Sequence, residues 1–201
     1  MKLFINTTSP YARLARVAIL EKGLGDRISE EIIDPWGGPP AFVATNLHER
    51  VPALLTDEGA GLSESSVILH YLETLKSVPT LYPADGYAEM MSLAGIALGA
   101  IDVMAAIIIT RKSAPDFDEN ILGRKRFRTI AAAFGRLDAT PPARLGEQVS
   151  LAGIAAAVSI DYALFRFPER DWLAQLPALR AWRESCRERR SLTATMPYLP
   201  E

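Results

Sequence analysis

The sequence predicts two unlike halves. Residues 1–76 read as an α/β unit of order βαβα–ββα, residues 87–201 as an all-helical domain, and 77–86 as the linker between them. Three observations carry this reading. Short apolar runs alternate with helix-periodic segments as far as Lys76. The stretch Ser77–Gly86 (SVPTLYPADG) holds two prolines and a glycine. Everything beyond it follows helical spacing. The chain has 201 residues, of which 49% are hydrophobic and 23% charged; that is enough apolar material for one large domain or two small ones, and too much for a disordered chain.

Lys2–Asn6 is read as a strand. Ser9 then suits a helix N-cap and Pro10 the first helical position; Leu14, Val17, Ala18 and Glu21 space out one face, and Gly23 sits where a terminating glycine belongs. Ile28–Asp34 is a second strand, Pro35–Pro40 a loop and Ala41–Leu47 a short helix. Val51–Thr56 and Gly61–Ser63 are strands joined at Asp57-Glu58-Gly59. Glu64–Lys76 is a helix with Val67, Leu69, His70, Leu72 and Glu73 on its buried face. After the linker come helices over Tyr87–Arg111 and Asn120–Asp138, a loop over Thr140–Gln148, and a helix over Ser150–Phe165, rich in alanine and buried all round. Asp171–Leu176 and Ala178–Arg189 are short closing helices. The most apolar stretch, Leu93–Ile109, falls short of the ~20 residues a membrane span needs and carries Asp102, so it is read as a buried helix.

Composition excludes several functions. With 22 basic and 24 acidic residues the net charge is −2, so no nucleic-acid partner is expected. Cys186 is the single cysteine and can form neither an internal disulfide nor a CxxC site; with two histidines besides, no protein-built metal site is expected. The opening MKLFINTTSPYARLARV has too short an apolar run for a signal peptide, so a soluble cytoplasmic protein without a membrane partner is expected.

Four local patterns, in order along nearly the whole chain, give the sequence a family likeness. Arg50-Val51-Pro52-Ala53-Leu54 is followed by Glu64-Ser65-Ser66-Val67-Ile68-Leu69. Thr8-Ser9-Pro10-Tyr11-Ala12-Arg13 opens the first helix. Ser150-Leu151-Ala152-Gly153-Ile154-Ala155 leads to Tyr162 and Phe165-Arg166. The tail carries Pro177-Ala178-Leu179-Arg180-Ala181-Trp182 and Thr195-Met196-Pro197. Together these resemble the cytosolic glutathione transferase family, with an opening motif similar to its serine-type and omega-like members. The resemblance implies a thioredoxin-like first domain, a helical transferase-type second domain and a homodimer. It implies an enzyme that activates the glutathione thiol for attack on an electrophilic small molecule in detoxification. The alternative is a non-catalytic member of the same fold used for protein–protein interaction or ligand carriage. The pattern departs at Gly153, where the family has an Asp that completes a capping box with Ser150.

Glutathione carries two carboxylates, an ammonium and a thiol, and each needs a partner. By the resemblance, the γ-glutamyl carboxylate sits at the helix mouth of Ser65 and Ser66, Glu64 accepts from the ammonium, and Pro52 follows a cis bond that lets the Val51 backbone pair with the cysteinyl unit. An ordinary helix start, with Ser63 as N-cap and Glu64 complementing the dipole, explains the same residue types. Ser9 is the first candidate to hold the thiolate and Thr8 the second; a turn or capping role suits both. By the resemblance, Trp36 is a candidate for the glycyl carboxylate and Asp102 for the ammonium of a glutathione in the partner subunit; a buried or dimer-contact tryptophan, and a carboxylate lining a solvated cleft of its own subunit, suit the two residues equally, and Arg50 and His48 are flanking positive charges. Tyr11 and Arg13 lie near the opening motif. Ile107, Ile108, Phe117 and Tyr11 are candidate walls for the electrophile.

Overall fold

A computed structural model of the chain describes residues 1–200. The chain divides into two compact units: Met1–Leu81 together with the tail from Arg189, and Tyr82–Glu188. The tail, expected with the helices, packs with the first unit instead.

The first unit follows the expected order. Strand β1 (Lys2–Ile5), helix α1 (Pro10–Glu21), β2 (Ser29–Ile32), α2 (Pro40–Thr45), β3 (Ala53–Leu55), β4 (Gly61–Ser63) and α3 (Ser65–Leu75) form a four-stranded sheet of order β2-β1-β3-β4. β2 lies parallel to β1, whereas β3 and β4 are antiparallel to their neighbours. Phe4 pairs with Ala53 in register, and the two share a sheet face with Ile33 and with Phe42 of α2. Alternation sends Leu3, Ile5 and Leu54 to the other face, and all three are fully buried. α1 packs with α3 through apolar stripes that include Leu14, Val17 and Ala18 on one and Ile68, Leu69 and Leu72 on the other. Val67 and His70, expected inside, point outward.

α1 ends as its sequence reads. Gly23 adopts φ +60, its N–H donates to Leu20 O, and Leu24 N–H donates back to Ile19 O at 2.9 Å. Beside this end, the fully buried Lys22 ammonium donates to Glu73 Oε1 and to Pro79 O, both at 2.8 Å, while Glu73 Oε1 also accepts from the Leu81 N–H. One carboxylate thus holds α1, α3 and the start of the linker together.

In the second unit α4 (Tyr87–Arg111) packs against α5 (Ile121–Ala139) and α6 (Leu151–Arg166), and α5 against α7 (Pro177–Ser185). α6 is buried from Leu151 through Ala163, including Asp161, whose carboxylate receives two bonds from Arg183 at 2.7 and 2.9 Å. α4 is long and apolar enough to cross a membrane by length and composition. It is not buried all round: Ala88, Met91, Ser92, Gly95, Asp102 and Ile109 are exposed. Asp171–Leu176 forms turns rather than the expected helix, with Trp172 packed among the rings of Phe127, Phe134 and Phe167. The helix expected over Ala178–Arg189 stops at Ser185, and a separate α8 (Arg190–Thr193) follows in the tail.

Candidate functional site

Register brings the sequence candidates of the first unit to one end of its sheet. Phe4 sits opposite Ala53, and Ala53 opposite Ser63, so the exit of β1, the entrance of β3 and the exit of β4 coincide. The parallel pairing of Ile5 with Ile32 adds the exit of β2. Asn6–Ser9, Trp36, Val51-Pro52 and Glu64-Ser65 therefore leave or enter the sheet at the same end.

The turn after β1 is self-braced. Ser9 N–H donates to Asn6 O at 3.2 Å, while Asn6 Oδ1 accepts from the Thr8 N–H at 2.9 Å and the Thr8 hydroxyl at 2.7 Å. Ser9 caps α1: its Oγ accepts from the Ala12 N–H at 3.2 Å. The two candidate hydroxyls thus differ. Thr8 has given its proton to Asn6, whereas Ser9 acts as acceptor and keeps a donor proton.

The peptide bond between Val51 and Pro52 is cis, as the resemblance implies. Val51 precedes the β3 ladder, which begins at Ala53. The loop before it is shaped by the buried Asn46, whose Nδ2 donates to Arg50 O at 2.6 Å and whose Oδ1 accepts from the His48 N–H at 3.0 Å. The sequence reading missed Asn46 and Asn6; both are asparagines that brace a turn with their own side chains, and that residue type is the available signal.

α3 opens unlike the ordinary helix start considered above. Its N-cap is Glu64, not Ser63, and no side chain caps it. α1, α5 and α6 by contrast are capped by Ser9, Asn120 and Ser150. Glu64 holds φ 68, a conformation that costs a non-glycine residue about 1–3 kcal/mol and is concentrated at functional sites. The N–H groups of Ser65 and Ser66 are left to the dipole end of an 11-residue helix. Arg50 Nη2 meets Glu64 Oε1 at 3.2 Å with both side chains exposed, so a donor and an acceptor stand side by side at the helix mouth.

Trp36 lies in a 3-10 turn over Pro35–Gly37, braced by Asp34 Oδ1 accepting its backbone N–H at 3.0 Å, and the residue is 73% exposed. His48 is exposed. Arg13 is buried and turned toward the tail, where it donates to Leu192 O and Thr195 Oγ1. Asp102 belongs to α4 of the second unit and is exposed there. Ile107 and Phe117, candidate walls for an electrophile, are core residues of that unit. Among the described residues, no group of three or more His, Cys, Asp or Glu side chains is placed to hold a metal ion.

Comparison with known proteins bears on the chain as a whole. Residues 8–75 match the family description "Glutathione S-transferase, N-terminal domain" and residues 115–185 match "Glutathione S-transferase, C-terminal domain". A glutathione S-transferase of Pseudomonas putida is 30% identical over 189 residues, covering 90% of this chain and 84% of that protein. A glutathione transferase family member from Pseudomonas fluorescens, solved with bound glutathione, superposes with a TM-score of 0.85 at 29% identity, covering 98% of this chain and 99% of that one. A glutathione S-transferase from Methylobacterium radiotolerans in complex with glutathione sulfonate gives 0.85 at 29% identity, over 100% and 96%. The α/β first unit and the helical second unit each match this family, the relatives cover nearly the whole chain, and the chain belongs to the glutathione S-transferase family.

Proposed function

We propose that the protein is a glutathione transferase whose site is built from the sheet end of the first unit, with Ser9 as the group that holds the thiolate. The uncapped mouth of α3 takes the γ-glutamyl carboxylate through the N–H groups of Ser65 and Ser66, with the Ser65 hydroxyl beside them. Glu64 accepts from the ammonium, and Arg50 next to it balances the charge. The backbone of Val51 lies outside the ladder and pairs with the cysteinyl unit as a further strand would. Trp36, an exposed residue with an indole N–H donor, serves the glycyl end.

The observation that carries the reading is the contrast between the two hydroxyls. Thr8 donates to Asn6, so Ser9 is the one with a proton to give to sulfur, and it stands at the positive end of α1. A free thiol with pKa ~8.5 is only a few per cent ionised at neutral pH; lowering it by ~2 units takes ~2.7 kcal/mol. A charge-assisted hydrogen bond of about 1.5–3 kcal/mol together with a helix terminus supplies that amount. The thiolate then attacks an electrophilic carbon: the C–S bond forms, the leaving group departs with its electron pair, and the thiol proton goes to solvent. No enzyme cysteine stands at Ser9, so a mixed disulfide has no partner there, which favours conjugation over disulfide reduction.

The exposed face of α4 supports a homodimer. Along it the exposed Ala88, Ser92 and Gly95 and the half-buried Gly99 recur at helical spacing, and a Cβ added to either glycine would meet open space. A second α4 can approach closely there, and Asp102 on the same face is then the residue offered to the partner subunit. A cytoplasmic location fits a reaction that consumes reduced glutathione, as does removal of reactive electrophiles.

The test is the ultraviolet thiolate band of bound glutathione, followed against pH. Ser9→Ala is expected to raise its midpoint by about 1–2 units, equivalent to about 1.4–2.7 kcal/mol, with little loss of affinity by calorimetry. Thr8→Val is expected to leave the midpoint near that of the wild type. The reverse pattern would transfer the role to Thr8, and no detectable binding at millimolar glutathione would end the enzymatic reading.

A further inference from the structure

The tail from Arg189 runs back along α1, against its direction, for the whole length of the helix. At the C-terminal end of α1, Arg189 Nε and Nη2 donate to the Glu21 carboxylate at 2.5 and 2.6 Å, and the Ser191 hydroxyl reaches the same group. One helical stretch earlier, Arg13 donates to Leu192 O at 3.1 Å and to Thr195 Oγ1 at 3.3 Å. Before the helix begins, the Thr7 hydroxyl donates to Tyr198 O at 2.8 Å. Arg13 and Thr7 are themselves 3% and 5% exposed; the Arg13 bonds are buried, and the Thr7 bond to the half-exposed Tyr198 is partly buried.

Thr7 stands at a corner of the turn that carries Ser9. Of the turn's other side-chain bonds, two run internally from Thr8 to Asn6 and one ties Ser9 Oγ to the Ala12 N–H of α1; none reaches beyond the turn and the helix it opens. The bond from Thr7 to Tyr198 joins the corner to a segment 191 residues away in sequence. We propose that the C-terminal tail is a strap that positions Ser9: the Tyr198 carbonyl, gripped by Thr7, holds the Asn6–Ser9 turn where the Ser9 hydroxyl meets the glutathione sulfur. The proposal rests on Ser9 as the thiolate-holding group. Thr7 and Tyr198 do not touch the reacting atoms; they are positioning residues. A hydrogen bond to sulfur is lost over a few tenths of an ångström and tens of degrees, and displacements of about 1 Å cost about a hundredfold in rate, so a tether at the turn corner has leverage on chemistry two residues away.

The experiment compares the wild type, Thr7→Val, Thr7→Ser, the chain ended after Pro197, and Thr7→Val in that shortened chain. Thr7→Val keeps the side-chain shape and removes the donor; Thr7→Ser keeps the donor. Two readouts are taken: the pH midpoint of the bound-glutathione thiolate band, and amide exchange at Ser9 and Ala12 in the ligand-free protein. Thr7→Val and the shortened chain are each expected to raise the midpoint by about one unit, a tenfold loss of thiolate at neutral pH, with glutathione affinity within twofold. Thr7→Ser is expected to restore it, and the combined variant to add nothing beyond either change alone. Exchange at Ser9 and Ala12 is expected to quicken in the same variants. An unchanged midpoint in Thr7→Val, or shifts that add in the combined variant, would overturn the strap. A wild type that binds glutathione without forming thiolate would overturn Ser9 and the strap's role together, and is told apart because amide exchange still reports whether the tail holds the turn.

Discussion

Asp161 is a buried carboxylate inside a largely apolar helix, and the ion pair it forms borders the chain's cysteine. Arg183 grips it with two hydrogen bonds. Burial works against the guanidinium charge, but the bonds and charge of Asp161 outweigh it and hold the proton more firmly than usual. The Cys186 thiol lies next to this pair. Burial pushes it above the ordinary thiol range, and the pull of Arg183 in the other direction is smaller. The folded protein therefore binds the Cys186 proton more tightly than the unfolded chain does. That contribution to stability is present below the ordinary thiol value of ~8.5 and is lost as pH rises from there through the raised folded value. Urea midpoints are expected to fall between roughly pH 8.5 and 9.5 in the wild type and to stay level over that interval in Cys186→Ala. Beyond ~10 both decline, because burial raises Tyr162 in the same sense. Parallel curves for the two proteins across the first interval would contradict this account.

Helix ends show which features a sequence carries openly. Ser9 and Ser150 were legible as caps because the acceptor is local, and each accepts the N–H three residues on. α7 begins differently. Its N-cap Leu176 has no acceptor, and the Leu179 N–H donates instead to Asp138 of α5 at 2.8 Å. No local pattern announces a cap borrowed from another helix. Asp171–Leu176 misled for a related reason: Trp172 is recruited into a ring cluster, and Pro177 disfavours the helical conformation just before it. Gly153 is the instructive case at α6. The family's Asp would complete a capping box, but Leu145, itself fully buried, places its Cδ2 2.7 Å from where a Cβ on Gly153 would stand. The space is already taken by an apolar side chain from the preceding loop. Gly153→Asp is therefore expected to destabilise by about 1–3 kcal/mol, overpacking exceeding the ~1 kcal/mol that a cap contributes. In a Leu145→Ala background the same change is expected to cost at least about 0.5 kcal/mol less, read as the coupling in a double-mutant cycle of urea unfolding. Equal costs in both backgrounds would remove Leu145 from the explanation.

At the scale of the whole chain, both termini belong to one unit. Residues 1–81 supply the sheet and its helices, and the tail from Arg189 completes them after the helical unit has been traversed. The candidate site was readable because its parts lie in short motifs, Thr8-Ser9-Pro10, Val51-Pro52 and Glu64-Ser65. The tail's placement was not, because the groups it offers to Arg13 of α1 and to Thr7 of the turn include the backbone carbonyls of Leu192 and Tyr198, which any residue could provide. It also falls outside both family-matched segments, 8–75 and 115–185. The physical consequence concerns buried charge. Ending the chain after Glu188 takes Arg189 from the buried Glu21 carboxylate, and breaking such an ion pair by removing one partner costs about 3–5 kcal/mol; it also removes the tail acceptors of Arg13. Against a typical domain stability of about 5–15 kcal/mol, that is enough to loosen the first unit without touching the contacts inside the second. Native-state amide exchange separates the two. Protection in β1 and α1 is expected to drop by about a hundredfold or more in the shortened chain, while α6, buried among α4 and its own unit's helices, keeps its wild-type rates. Unchanged protection in β1 and α1 would mean that α1 closes over Arg13 and Glu21 without the tail, and the first unit would then be complete by Leu81.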